Sequence, residues 1–167
     1  SLKDNNKALD MYKKALEIDP EHPWTWNNYS TVLITLGRYD EAIEACNKAL
    51  TIMNFGMAHH NLGRAYMAKK MYGEAEKEFK LINDTEMLSR LYRQMKLPDK
   101  EMAMVEKTLQ NDRQNAFANI EKARVLKTQG KLDEALEYYR QALTGNPKSA
   151  AAYHGMGQSY KLKGNIA

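Results

Sequence analysis

The sequence predicts an all-α fold built from repeated antiparallel helix pairs, and two observations carry this prediction. The first is composition: the 167 residues include only four prolines and nine glycines, and Ala, Leu, Met, Lys, Glu and Gln are frequent. These residues favour helix over strand. The second is repetition, because DEAIEACNKALTIMN, residues 40–54, returns 93 residues later as DEALEYYRQALTGNP, residues 133–147. A match of charged, small and aliphatic positions predicts an internal period.

One helical face recurs along the whole chain and gives that period. It carries a small residue, then a large one four positions later and a small or aliphatic one three positions further. The steps between successive copies are 34, 33, 26 and 34 residues. The 26-residue step and the 33-residue step together make the 93-residue offset nine residues less than three full repeats. The copies are Ala8, Tyr12, Ala15; Ala42, Cys46, Ala49; Ala75, Phe79, Ile82; Glu101, Val105, Thr108; and Ala135, Tyr139, Ala142.

A second helical pattern precedes each full copy and predicts two antiparallel helices per repeat. Its fixed element is a small residue that lets this first helix approach the second helix closely. We expect Gly37 and Gly130 to end first helices, and Pro20 and Pro147 to follow second helices. Asp40, Asp99 and Asp133 are expected to cap the second helices. The small residues are Ser30, Gly63, Ser89, Ala123 and Gly157.

These residues resemble the tetratricopeptide repeat family, whose 34-residue pattern places W, LG, Y, A, F, A and P at these spacings. The resemblance covers the whole chain and implies a single array, an all-α, right-handed α-solenoid of antiparallel helix pairs. Around residues 85–113 it weakens, because Glu101 replaces the alanine and about eight residues are missing, so we expect a shortened helix after the turn at Asn83–Thr85. The predicted segments are 1–20, the second helix of a partial repeat; 23–54 and 56–83, two repeats; 84–113, a degenerate repeat; 116–147, a repeat; and 149–167, the first helix of a partial repeat.

In this family the first helices line the inner wall of the superhelix, and cations recur there. Neighbouring first helices lie about 10 Å apart and an extended peptide advances about 3.3 Å per residue, so one cation could meet every third ligand residue. We therefore expect a basic concave groove for a protein or peptide ligand, and its geometry suits an acidic or carboxylate-ended peptide. Solvated side chains with no ligand remain the alternative. The predicted groove residues are Asn28, Asn61, Arg64, Arg90, Arg93, Arg124, Lys127 and Lys161.

Other functional hypotheses are weighed against this groove. The family's chaperone-tail clamp needs specific lysines and asparagines, whereas this chain has Asn27, Thr31 and Arg64, so that role is not carried over. Self-assembly through uncapped ends or the convex face is a second hypothesis, because neither end carries the polar cap that normally closes a solenoid. We therefore expect either a piece of a longer protein or an array that covers its ends with another copy of itself. RNA binding is a third, but aromatic stacking residues are missing between the cations, so nucleic acid is unlikely as a partner.

The sequence carries no pattern typical of an enzyme. Glycine-rich phosphate loops, a nucleophile elbow and paired cysteines are all missing, so we expect a non-catalytic scaffold or adaptor with no cofactor. His59 and His60 are adjacent and point to different sides of a helix, which argues against a metal site. Cys46 is expected to be an inert buried thiol. No apolar run reaches the roughly 18 residues of a membrane span, and we expect a cytoplasmic protein.

Overall fold

The computed structural model describes residues 2–164, with side chains from residue 4 onward, and its described part contains ten α-helices and no strand. The all-α fold class is confirmed. The described chain falls into two compact units that divide between Asp84 and Thr85. This division lies at the turn where the sequence repeat is shortened.

Unit 1, residues 2–84, consists of five helices. Helices α2 and α3 pack as one pair and α4 and α5 as another, while α1 packs against α2. The three-residue connections within the pairs make each pair antiparallel. A buried core that includes Leu9, Leu33 and Ala42 joins α1, α2 and α3. The helices are α1 (Leu2–Ile18), α2 (Pro23–Thr35), α3 (Tyr39–Ile52), α4 (Gly56–Ala68) and α5 (Tyr72–Leu81).

Unit 2, residues 85–164, repeats this plan. Helices α6 and α7 form one pair, α8 and α9 another, and α10 packs against α9 and α8. Its core brings together Ala123, Ala135, Tyr139 and Ala152. Helix α6 has ten residues, whereas α2, α4 and α8 have 13 each. The helices are α6 (Thr85–Gln94), α7 (Pro98–Asn111), α8 (Ala116–Thr128), α9 (Leu132–Gly145) and α10 (Ala150–Gly164).

The turn inside each helix pair uses one left-handed residue. Gly37 and Gly130 have φ angles of 75° and 77°, as expected for glycines that end first helices. Lys70 and Lys96 occupy the same place in the other two pairs, with φ angles of 62° and 58°. Two pairs thus keep this turn without glycine, at a cost of about 1 kcal/mol or more for the left-handed conformation.

The expectation that aspartates cap the second helices is wrong. Asp40, Asp99 and Asp133 lie at the second helical position, after Arg38, Leu97 and Lys131 at the caps, none of which makes a side-chain capping bond. The carboxylates of Asp40 and Asp133 instead pair with Lys69, the C-cap residue of α4, and with Lys163 in the last turn of α10. From the first turn they still favour the helix electrostatically, because the N-terminal end of a helix is partly positive.

Small residues bring the helices of a pair into close contact. A Cβ atom placed on Gly63 would lie 2.5 Å from the Phe79 ring, so only glycine lets α4 approach α5 this closely. Ser30, Ser89 and Ala123 are likewise buried. Gly157 on α10 differs, because a Cβ atom there would meet nothing within 4 Å. Among the described residues, Gly157 therefore makes no close helix contact of the kind seen at Gly63.

Candidate functional site

The six predicted groove cations all lie on the first helix of a pair or, for Lys161, on α10. Arg64 is on α4 in unit 1, and the other five belong to α6, α8 and α10 in unit 2. The net positive charge of the chain is likewise concentrated in its second half. Residues 85–167 contain 14 Lys and Arg against nine Asp and Glu, a net charge of +5, whereas residues 1–84 contain 11 and 12, a net charge of −1. Unit 2 thus carries the positive charge of the chain.

Two of these arginines form a closed cluster with two buried glutamates. Arg93 Nε donates to Glu101 Oε1 at 3.1 Å, and Arg124 Nη2 donates to the same oxygen at 2.5 Å. Arg124 Nε donates to Glu121 Oε2 at 2.9 Å, and Arg93 Nη2 lies 3.0 Å from that oxygen as an ion pair. We call these four residues the arginine–glutamate cluster. Each guanidinium bridges both carboxylates, and the cluster as a whole is neutral.

Burial explains why the cluster holds together. Glu101 is 6% exposed and Glu121 is 7% exposed, and a carboxylate removed from water needs both charge partners and hydrogen bonds. Glu101 comes from α7, at the place where a small residue is expected, and reaches Arg93 on α6 and Arg124 on α8. The three helices are thereby tied together by charge where other repeats use close packing.

Arg90 lies outside this cluster on the exposed side of α6. Its guanidinium sits 4.8 Å above the centre of the Phe117 ring, a cation–π contact, and its Nη2 donates to Glu86 at 2.6 Å. Such an exposed pair, four residues apart on a helix, contributes only a few tenths of a kcal/mol. An incoming carboxylate could therefore compete with Glu86 for Arg90.

The two remaining predicted groove cations of unit 2, Lys127 and Lys161, have no acidic partner within residues 4–164. Lys127 Nζ donates to the Gln158 side chain on α10, and Gln158 is also hydrogen-bonded to His154. Lys161 is exposed, and its side chain makes no hydrogen bond or ion pair within residues 4–164. Arg90, Lys127 and Lys161 are the predicted groove cations of unit 2 outside the arginine–glutamate cluster.

The two predicted asparagines have different surroundings in unit 1. Asn61 is 5% exposed, and its Nδ2 donates at 2.9 Å both to Asn27 Oδ1 and to Thr31 Oγ1 on α2. Asn28 holds the corresponding place on α2 but is exposed, because no first helix precedes α2 within the described residues. The Asn61 amide thus bridges α2 and α4, and the Asn61 Oδ1 accepts from Arg64 at 3.4 Å.

An apolar edge lies beside these polar groups in unit 1. The rings of Trp24 and Phe55 are 4.6 Å apart, and Trp24 and Met57 are 41% and 53% exposed at the starts of α2 and α4. Exposed aromatic and methionine side chains at the starts of these helices suit contact with an apolar side chain of a partner. Phe117, the residue expected at the corresponding edge of α8, is covered in part by Arg90.

The histidines of α4 serve the packing of unit 1. His59 Nδ1 lies 2.6 Å from Glu78 and its Nε2 lies 2.9 Å from Asn54, while His60 Nδ1 lies 2.8 Å from Asp84. Within the residues described, no group of three or more His, Cys, Asp or Glu is placed to hold a metal ion.

Cys46 is fully buried on α3, and burial raises the pKa of its thiol to about 11, with a smaller contribution from the Glu78 carboxylate. We expect the folded chain not to react with an aromatic disulfide reagent at about pH 8, where an exposed thiol with a pKa near 8.5 is partly ionised. One thiol should react after denaturation, and a Cys46→Ala chain supplies the blank. Rapid reaction of the native chain would contradict this burial.

The raised pKa of the Cys46 thiol also affects stability. As the pH rises from about 8.5 towards 11, the thiol ionises in the unfolded chain but not in the folded chain, so the free energy of unfolding falls.

Comparison with known sequences identifies the family of the repeats. Residues 1–53 and 57–82 match family profiles described as tetratricopeptide repeat, and residues 123–164 match one described as TPR repeat; together the matches span more than two thirds of the chain. The Hsp70-Hsp90 organizing protein of Triticum aestivum is 28% identical over 176 residues, which cover 97% of this chain and 30% of the wheat protein. The chain thus spans less than a third of that relative.

Solved structures show the same fold at low sequence identity. The APC/C hetero-tetramer Cut9-Hcn1 aligns with a TM-score of 0.76 and 15% identity over 94% of this chain and 33% of the compared chain. Pseudomonas aeruginosa pilF aligns with a TM-score of 0.72 and 22% identity over 97% and 87%. Within residues 2–164, no helix combines the length and apolar character needed to span a bilayer.

Proposed function

The chain belongs to the tetratricopeptide repeat family, and from this we propose that it is a non-catalytic scaffold that binds an acidic segment of a partner protein on the first helices of unit 2. The observation that carries the proposal is the set of cations without a buried acidic partner, Arg90, Lys127 and Lys161, on α6, α8 and α10. An adaptor role is supported by similarity to the Hsp70-Hsp90 organizing protein of wheat.

The geometry favours an extended ligand over a compact one. First helices that pack side by side are about 10 Å apart, so cations on successive helices match every third residue of an extended chain. Glutamate or aspartate side chains at that spacing could each reach one cation. The arginine–glutamate cluster neutralises Arg93 and Arg124 and holds α6, α7 and α8 together by charge. Arg93 and Arg124 are therefore proposed to raise the local potential less than Arg90 and Lys127.

In unit 1 we propose contacts of another kind. Arg64, with Asn28 and Asn61 beside it, offers one cation and two amides, and Trp24 with Met57 offers an apolar anchor. Such a surface suits a ligand segment that carries an apolar side chain and hydrogen-bonding backbone groups. A cytoplasmic location belongs to the same proposal and is consistent with the unpaired buried thiol of Cys46.

A labelled peptide with glutamate at every third position and serine or glycine between tests the proposal. We expect the double variant Arg90→Glu and Lys127→Glu to weaken binding at least about tenfold, because two attractions become repulsions and a tenfold change is only about 1.4 kcal/mol. The matched control, Lys131→Glu and Lys148→Glu, makes the same charge change at exposed sites outside the first helices. Fluorescence anisotropy measures all three chains.

Three outcomes would overturn the proposal. They are equal losses in the two double variants, undiminished binding by a peptide with glutamine in place of glutamate, or preference for a single-stranded RNA of the same length. The RNA result would favour the nucleic-acid hypothesis, since that binding would weaken steeply with salt.

A further inference from the structure

A cavity of about 510 Å³ lies between α7, α8 and α9 in unit 2. Its size falls in the range of roughly 300–1,000 Å³ that is usual for sites of small molecules. Apolar, amide and charged side chains line it together, so it can hold a ligand that has both an apolar body and a polar group. The lining includes Leu109, Gln110, Arg113, Asn119, Lys122 and Gln141.

The sequence repeat explains how this cavity arises. The corresponding space in unit 1, 93 residues earlier, is divided into two cavities of about 270 and 340 Å³, and Trp26 lines both of them. Asn119 stands at the matching place in unit 2. The indole ring of Trp26 thus divides a space that the smaller Asn119 leaves open. All five residues that line the smallest cavity lie 93 residues before residues that line the largest one, and they are Lys13, Leu16, Glu17, Trp26 and Tyr29.

The hydrogen bonds at this place leave one acceptor unused. Trp26 Nε1 donates to the Pro20 carbonyl at 2.8 Å, and Asn119 Nδ2 makes the equivalent bond to the Arg113 carbonyl at 2.8 Å. Asn119 is fully buried, and its Oδ1 accepts no hydrogen bond from any described residue. A buried acceptor without a donor is unfavourable, so a ligand N–H that donates to this oxygen would be stabilising.

The cavity also has a cation that is free to bind an anion. Arg113 is exposed, and its guanidinium makes no hydrogen bond or ion pair within residues 4–164. Lys122, by contrast, donates to Glu106 at 2.6 Å and lies 5.9 Å from the centre of the Tyr138 ring. The residue of unit 1 that matches Arg113 is the uncharged Pro20. Unit 2 therefore combines the open space with a positive charge.

We propose that this cavity binds an indole carboxylate, whose ring takes the place that the Trp26 ring fills in unit 1. The ring N–H of the ligand donates to Asn119 Oδ1, and its carboxylate pairs with Arg113. Leu109 supplies an apolar wall for the ring. The site shares no residue with the cations proposed for peptide binding, so either proposal can fail without the other.

Isothermal titration calorimetry with indole-3-propionate tests the proposal. We expect the unmodified chain to bind the ligand. Asn119→Trp places an indole of the chain itself in the cavity, as Trp26 does in unit 1, so it should abolish ligand binding while the helix content measured by circular dichroism is kept. This variant should bind the glutamate peptide as the unmodified chain does.

A second pair of variants tests the contact with the carboxylate. Arg113→Gln should weaken binding of indole-3-propionate by about twofold to fivefold, because an exposed ion pair is lost. The matched control is Arg140→Gln, which removes an exposed arginine of α9 outside the cavity lining and should leave the affinity unchanged. Uncharged 3-methylindole should bind the Arg113→Gln and unmodified chains alike. Both arginines are exposed, so this comparison decides even if Asn119→Trp disturbs folding.

The source of the ligand is distinguished with the peptide acetyl-Gly-Gly-Trp, whose C-terminal residue carries the same ring and carboxylate. Tighter binding of this peptide than of indole-3-propionate would support a protein C-terminus as the source, and the reverse order would support a free aromatic acid. Three results would overturn the proposal: no binding of either compound at millimolar concentration, undiminished binding by a folded Asn119→Trp chain, or equal affinities of the Arg113→Gln and Arg140→Gln chains.

Discussion

Replacing Phe79 with alanine is expected to lower the free energy of unfolding by about 3–5 kcal/mol. Phe79 is fully buried on α5, where its ring fills the space that Gly63 leaves on α4 and lies 6.2 Å from the His60 ring. Alanine loses the transfer free energy of the ring and leaves a cavity between the two helices. Guanidinium denaturation followed by far-ultraviolet circular dichroism measures the loss.

Gly63 supplies the matching half of this experiment. Gly63→Ala alone should destabilise by about 1–3 kcal/mol, because the added methyl group must displace the Phe79 ring. In the Phe79→Ala background the same change should cost little, since the cavity accepts the methyl group. A double-mutant cycle should therefore give a clear coupling energy. Strictly additive effects would mean that the two residues do not share this contact.

Glu101→Gln is expected to destabilise the chain and yet tighten its binding of acidic peptide. The change leaves Arg93 and Arg124 sharing only the Glu121 carboxylate. Breaking a fully buried pair costs about 3–5 kcal/mol, but both arginines are partly exposed to water, so we expect about 1–3 kcal/mol. The freed positive charge should lower the dissociation constant of the glutamate peptide roughly threefold to tenfold.

The opposite signs of these two effects distinguish the cluster from ordinary packing. Glu137→Gln is the control, because it removes the same charge from an exposed pair with Arg140 on α9. It should change the unfolding free energy by no more than about 0.5 kcal/mol and leave peptide affinity nearly unchanged. Weaker peptide binding by Glu101→Gln would contradict this account. It would mean that Glu101 assists peptide binding by holding the groove helices in place, and that neutralisation of Arg93 and Arg124 matters less.

The helix pairs could be predicted from the sequence because their cause is local. The recurring small and large residues, the glycines at Gly37 and Gly130 and the shortened step before Glu101 all lie in short segments whose spacing is readable. Lys70 and Lys96 at the left-handed turn positions show the limit, since neither residue type signals that conformation. The aspartates were misassigned because a cap and the second helical position differ by only two residues.

Whether the predicted groove cations are neutralised by nearby carboxylates could not be predicted from the sequence. The row of arginines is visible in the sequence, but their neutralisation depends on Glu101, 23 residues before Arg124, and on the distance between α6, α7 and α8. The one available signal was a glutamate in place of a small residue. The burial of Asn61 similarly depends on contact with Asn27, 34 residues away.

Mapping the glutamate peptide onto the chain by amide chemical shifts tests the proposed function most directly. The titration compares the shifts of every assigned backbone amide with and without the peptide. We predict that the largest changes fall on α6, α8 and α10 around Arg90, Lys127 and Lys161, and that they disappear in the Arg90→Glu and Lys127→Glu chain. Changes concentrated on α7 and α9, or no changes at saturating peptide, would contradict a peptide site on the first helices of unit 2.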